Sequence, residues 1–194
     1  MEKTVQLKDR SEVVIRAFVD QDLDAAVEFF RSLPREDREY LRRDVSRREI
    51  VETLLNEVRA GGAERLVAVA GDRIVAEGAL EREGHSWKQH VGEFRIVVAR
   101  DFQRRGLGMW MARELYHLAV ASRIEELVVK MMRPQKGARK IFRRLGFHEE
   151  IVLPEYVRDL DGNPQDLIVM RCDLEGLWQE LEDYFDRWDW QRAR

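Results

Sequence analysis

The spacing of apolar residues along the chain switches between a helical and a strand period, and the switches mark its elements. Val13, Val14, Ile15, Ala17 and Phe18 predict a short strand. Leu23, Ala26, Val27 and Phe30 follow at helical spacing, and Pro34 stops that helix. Residues 1–11 are polar and read as a loose tail, and residues 35–48 hold dense mixed charge. Ile50, Leu54, Leu55 and Val58 predict a further helix that Gly61-Gly62 ends. Two apolar runs around Gly71-Asp72 then predict a β-hairpin. After a loop over 83–90, Glu93 to Ala99 reads as a strand, Gly106 to Ser122 as a helix and Leu127 to Met132 as a strand. Gln135 to Leu145 reads as a helix that Gly146 ends. Extended runs at 149–157 and 166–173 flank Asp161-Gly162-Asn163-Pro164, a strong turn signal. From Leu174 the apolar positions Leu174, Leu177, Trp178, Leu181, Tyr184, Phe185 and Trp188 make an amphipathic helix. Packing on the domain, or on a second subunit in a homodimer, would bury that stripe. The order of elements predicts a mixed α/β or α+β domain with a mixed sheet.

Composition narrows the class. The chain has 194 residues, with 34 Lys+Arg against 37 Asp+Glu and a net charge of −3. That length suits one domain, and the balanced charge argues against a general nucleic-acid binder. The arginines between Arg35 and Arg48 alternate with Glu36, Asp37, Glu39 and Asp44, so that run reads as a solvated face. Cys172 is the single cysteine, which excludes an intrachain disulfide and a cysteine-based metal site. The histidines His85, His90, His117 and His148 are scattered, so no metal is expected. No stretch reaches the length of an apolar membrane span, and the first 20 residues lack an apolar signal core; a soluble, cytoplasmic protein without membrane contacts is expected.

The chemistry concentrates in GEFRIVVARDFQRRGLGM, residues 92–109. A strand ends, and Gln103-Arg104-Arg105-Gly106-Leu107-Gly108 opens a helix. Glycines let the backbone turn tightly there, and the first N–H groups of a helix lack partners and carry the positive end of its dipole. Such a turn binds an anion, most simply a pyrophosphate. The sequence has neither the lysine of an NTPase P-loop nor the third glycine of a dinucleotide fingerprint.

A Q/R-x-x-G-x-G/A segment after a strand resembles the acyl-CoA signature of the GNAT superfamily of N-acyltransferases. The elements that follow fit that resemblance: a strand at Leu127–Met132, a helix at Gln135–Leu145 carrying Ala138, then Gly146-Phe147. EFRIVVARDFQRRGLG and the early stretch IRAFVDQDLDAAVEFFRSLPREDREYLR resemble, more narrowly, the catalytic domains of bacterial protein-lysine acetyltransferases. The resemblance covers roughly residues 12–173 and leaves 174–194 as an appended helix. It implies a mostly antiparallel central sheet of about seven strands flanked by helices.

The resemblance also implies roles. Main chain at Ile96, Val97 and Val98 would pair with the pantetheine arm of acetyl-CoA. Backbone N–H groups of Gln103, Arg104, Arg105, Gly106, Leu107, Gly108 and Met109 would hold the pyrophosphate, with Arg100, Arg104 and Arg105 nearby as charge. Glu93 is the expected general base for an acceptor ammonium, and strand alternation places it on one face with Arg95, a pairing partner, and Val97. Main-chain N–H groups near Val98 would polarise the thioester carbonyl. Phe142 stands where many members carry a proton-donating Tyr, so another group or water would protonate the leaving thiolate, or it would leave unassisted; Gln135 stands where an Asn often sits and could still bond the pantetheine. Cys172 reads as core. The acceptor is a primary amine, on a protein lysine or a small molecule; Glu81, Glu83 and Glu93 on neighbouring strands would suit a cation. A CoA-binding sensor with weak chemistry and an interaction surface on the C-terminal helix is the alternative.

Overall fold

The structure is a computed structural model that describes residues 2–38, 40–82 and 87–192, with side chains as far as residue 187. Glu83, His85 and the side chain of Trp188 lie outside the described residues. Eight strands run β1 (Glu2–Gln6), β2 (Glu12–Ala17), β3 (Ala63–Ala70), β4 (Arg73–Arg82), β5 (Val91–Val98), β6 (Glu126–Met132), β7 (His148–Arg158) and β8 (Pro164–Asp173). The helices are α1 (Leu23–Ser32), α2 (Arg35–Arg38), α3 (Arg48–Arg59), α4 (Leu107–Ala121), α5 (Lys136–Arg144) and α6 (Leu174–Arg192). They flank one sheet in the order β1-β2-β3-β4-β5-β6-β8-β7. Every neighbouring pair is antiparallel except β5 and β6.

The strand count and the N-terminus correct the sequence reading. Residues 2–6 are no loose tail: they form β1 and pair antiparallel with β2, which adds a strand to the roughly seven expected. The apolar signal is short, only Val5 and Leu7, yet both are almost fully buried. The Lys3 ammonium reaches the buried Glu114 carboxylate on α4 at 2.6 Å, a second anchor that no periodicity reveals. Within the charged run at 35–48, α2 is helical and residues 40–47 are irregular.

Two sheet faces carry two kinds of packing. On one, α4 presses so closely on β4 that a Cβ at Gly78 would meet the side chains of Met111 and Leu115 at 3.0 and 3.1 Å. On the other, α3 and the irregular loop after α2 cover β3, β4 and β5, and there the buried groups are partly ionic. Arg65 on β3, 2% exposed, contacts Glu77 at 2.6 Å and Glu81 at 2.8 Å on β4, and Glu57 on α3 at 3.3 Å.

The stripe of α6 is covered within the same chain. Leu177 and Leu181 are fully buried, Trp178 stacks on Tyr116 with ring centroids 5.0 Å apart, and Phe185 lies 4.3 Å from Trp110. Among the described residues, no helix is long and apolar enough to cross a membrane.

Candidate active site

The sheet contains a fork. β5 and β6 pair in parallel only through Val91, Gly92 and Glu93, opposite Glu126, Leu127 and Val128. Beyond that point β5 stays paired with β4 on one side as far as Val98, and β6 stays paired with β8 as far as Met132. The two strands therefore diverge and leave strand edges facing each other across a gap. The N–H of Ala99 donates to the carbonyl of Val75 on the β4 side at 2.9 Å. Alternation then turns the main chain of Val97 toward β4 and that of Ile96 and Val98 toward the gap. Val97 contributes its side chain to the face above β4 instead. The carbonyl of Val98 accepts a bond from the Gln103 side-chain amide at 3.1 Å.

At the far end of β5 lies the turn into α4. Arg104 and Gly106 both adopt the left-handed backbone conformation, with φ of 60° and 91°. Left-handed residues set among ordinary ones turn successive N–H groups inward, the arrangement called a nest, and it attracts anions. The main-chain N–H groups of Arg104, Arg105, Gly106, Leu107 and Gly108 find no protein acceptor among the described residues, whereas Gln103 and Met109 donate to Arg100 and Gly106. Five open donors beside a helix N-terminus are what a pyrophosphate requires.

The arginines around this turn are disposed unequally. Arg105 is held by Asp9 at 2.7 Å and lies over the Phe102 ring, and its carbonyl accepts the N–H of Lys8 at 2.9 Å. The β1–β2 turn thus buttresses the nest. Arg100 is paired with Glu36 at 2.5 Å and Asp37 at 3.4 Å on α2. Arg104 makes no hydrogen bond or ion pair among the described residues, and its guanidinium is available to an anion.

Glu93 sits where the fork opens, on the same face as Arg95, with its side chain 14% exposed. Its partners differ from the expected ones. Arg95 goes to Glu81, at 2.9 Å, while Glu93 takes the Lys130 ammonium on one oxygen at 2.9 Å and the Arg42 guanidinium on the other. Arg42 also lies 3.9 Å from Glu81, which stands directly across from Glu93 in the β4–β5 register. Two carboxylates in such a position repel one another unless cations intervene. Burial pushes the Glu81 carboxyl up, but Arg95 and Arg65 outweigh it and hold the group below the usual carboxylate range. A surface built this way accepts a cation: it already holds two on Glu93.

Gln135 precedes α5, and its side-chain carbonyl accepts the N–H of Met132 at 2.7 Å, which directs that amide to the end of β6. Phe142 packs edge-on against Phe147, centroids 5.3 Å apart. Burial, then Asp173, pushes the Cys172 thiol up to about 12, so it is no ready nucleophile. Among the described residues, no cluster of His, Cys, Asp and Glu could hold a metal ion. Sequence reasoning missed Arg42 and Lys130. Lys130 follows Val128 by one strand period, so a β5–β6 register would have found it; Arg42 lies in a loop without period and gave no signal.

A nest of open N–H groups at the end of a strand that parts from its parallel neighbour is a specific combination of features. Residues 23–147, well over half of the chain, match the Acetyltransferase (GNAT) family. The chain belongs to that family. Solved GNAT structures share the fold at low identity. The GNAT domain of PAT from S. lividans superposes with a TM-score of 0.74 at 17% identity, covering 89% of this chain and 96% of that one. RimJ from Mycobacterium smegmatis, in complex with CoA-disulfide, gives 0.76 at 17% identity over 94% and 93%. Spermidine N-acetyltransferase from Vibrio cholerae, in complex with CoA and spermine, gives 0.71 at 17% identity over 86% and 98%. No curated protein matches the chain.

Proposed function

We propose that this GNAT protein moves the acetyl group of acetyl-CoA to a primary amine, with Glu93 as the general base. One observation carries the reading: a carboxylate stands at the point where β5 and β6 part, and five open N–H donors lie at the far end of the same strand. The residues fit the cosubstrate. The nest at Arg104–Gly108, with Arg104, suits its pyrophosphate, and the gap-facing main chain of Ile96 and Val98 suits an amide-bearing pantetheine arm. That arm would run back along β5, which brings the thioester toward Glu93. Gln135 and Phe142 would bound the same arm. In this reading the carboxylate takes a proton from the acceptor ammonium, whose ordinary pKa is near 10.4. The neutral amine then attacks the carbonyl, main-chain N–H groups near Val98 stabilise the oxyanion, and the thiolate leaves.

The acceptor is read as a polypeptide lysine in preference to a polyamine. A cavity of about 310 Å³ is lined by Arg35, Arg38, Arg43, Asp44, Val45, Ser46 and Leu160. Arg43 also lines the space above Arg65, Glu77 and Arg95, so the arginine-rich cavity adjoins the ionic face. Asp161 and Glu57 neutralise Arg35 and Arg43, so a chain cationic at both ends would set its second charge near Arg38, whereas a lysine flanked by acidic residues would not. The test is acetyl-CoA turnover, read as released CoA, with lysine peptides bearing acidic or basic neighbours and with polyamines. Peptides with acidic neighbours are expected to give the highest kcat/KM. Absence of released CoA with every amine, at high enzyme concentration, contradicts the reading; a preference for polyamines contradicts the assignment of the acceptor.

A further inference from the structure

Lys130 is placed as an acceptor would be. It lies on β6 one same-face step, about 6.6 Å at 3.3 Å per residue, beyond Val128, the last residue of β6 paired with β5. Leu127, Val129 and Met131 alternate with it and are buried on the opposite face. Lys130 therefore projects from the wall of the fork onto the face that carries Glu93, and its ammonium rests 2.9 Å from a Glu93 carboxylate oxygen. Arg42 occupies the other oxygen. A primary amine, a base within hydrogen-bond reach and the path of the thioester converge at one point. The chain has only six lysines, and one of them, Lys130, bridges to Glu93.

We infer that Lys130 is itself a substrate: the protein acetylates this lysine from acetyl-CoA within its own active site. The inference rests on the acetyl-transfer reading above. In the step, Glu93 takes one proton from the Lys130 ammonium, and the freed amine attacks the thioester carbonyl. An N–C bond forms, the C–S bond breaks, and the CoA thiolate takes up the second amine proton. Glu93 then returns its proton to solvent. The product is a neutral amide that no longer pairs with Glu93, and one carboxylate oxygen is left open to an incoming amine.

The protein is incubated with acetyl-CoA and no added amine, and the sites of acetylation are mapped by peptide mass spectrometry. One acetyl group per chain, on Lys130, is expected, with a rate constant independent of protein concentration, as for an intramolecular step. Glu93→Gln is expected to slow it about a hundredfold while acetyl-CoA still binds, and Lys130→Arg to abolish the adduct while keeping the positive charge. Three results overturn the inference: acetyl spread over the other five lysines, a rate that rises with protein concentration, or no adduct in a preparation that releases CoA with an added amine. A preparation that binds acetyl-CoA yet neither acquires acetyl nor releases CoA with any amine removes the acetyl-transfer reading as well.

Discussion

Under the proposed function, Gly106 is the residue on which pyrophosphate binding most depends. Its φ of 91° is one that residues with a Cβ adopt only under strain, at a cost of about 1–2 kcal/mol. Gly106→Ala is expected to turn the N–H groups of the nest away from their common centre and weaken acetyl-CoA binding about tenfold, measured by isothermal calorimetry. An unchanged dissociation constant would show that the cradle does not hold the pyrophosphate. At this scale the site was partly legible in sequence. QRRGLG announces a tight turn into a helix, and Glu93 is singled out only through the resemblance of its strand to the family. The partners of Glu93 were not legible. Period-two alternation sets Glu93 and Arg95 on one face, but that face also carries Glu81, and Arg95 is drawn to Glu81 while Lys130 and Arg42 take Glu93. Which cation meets which acid is decided by register across three strands and by an irregular loop, and neither leaves a local trace.

Among the elements, the strands and helices with a sustained apolar period were readable, and β1 was not. Val5 within it and Leu7 just beyond it make too short a buried run to stand out, and its place is fixed by pairing with β2 and by the Lys3–Glu114 bridge. That strand bears on the site: the β1–β2 turn supports Arg105 through Asp9 and through the Lys8 N–H. The stripe of α6 was readable as apolar, but its partner was not, because a helix period does not say what covers it. In the structure it lies on α4, the helix whose first turn opens at the anion cradle. Leu177→Ala, at a fully buried position, is expected to cost about 2–5 kcal/mol in urea unfolding. Acetyl-CoA binding should persist below the transition. A loss under about 0.5 kcal/mol would mean that α6 is an appendage and not a part of the core.

For the molecule as a whole, the near-balanced charge conceals an internal arrangement. Many of the arginines between Arg35 and Arg48 meet acids of the same chain: Arg35 with Asp161, Arg43 with Glu57 at 2.6 Å, Arg48 with Asp24 at 2.5 Å. The run that looked like a solvated face is in part the lid of an ionic layer that ends at Glu93. The sheet divides the labour: β5 runs from the Glu93 carboxylate to the nest at Arg104–Gly108, so under the proposed function one strand would set the distance between proton acceptor and pyrophosphate. The most direct measurement of this account compares turnover and acetyl-CoA affinity in Glu93→Gln. With a lysine acceptor in excess, kcat is expected to fall about a hundredfold or more while the dissociation constant for acetyl-CoA stays within a factor of about three. A kcat equal to that of the unmodified chain would contradict Glu93 as the base.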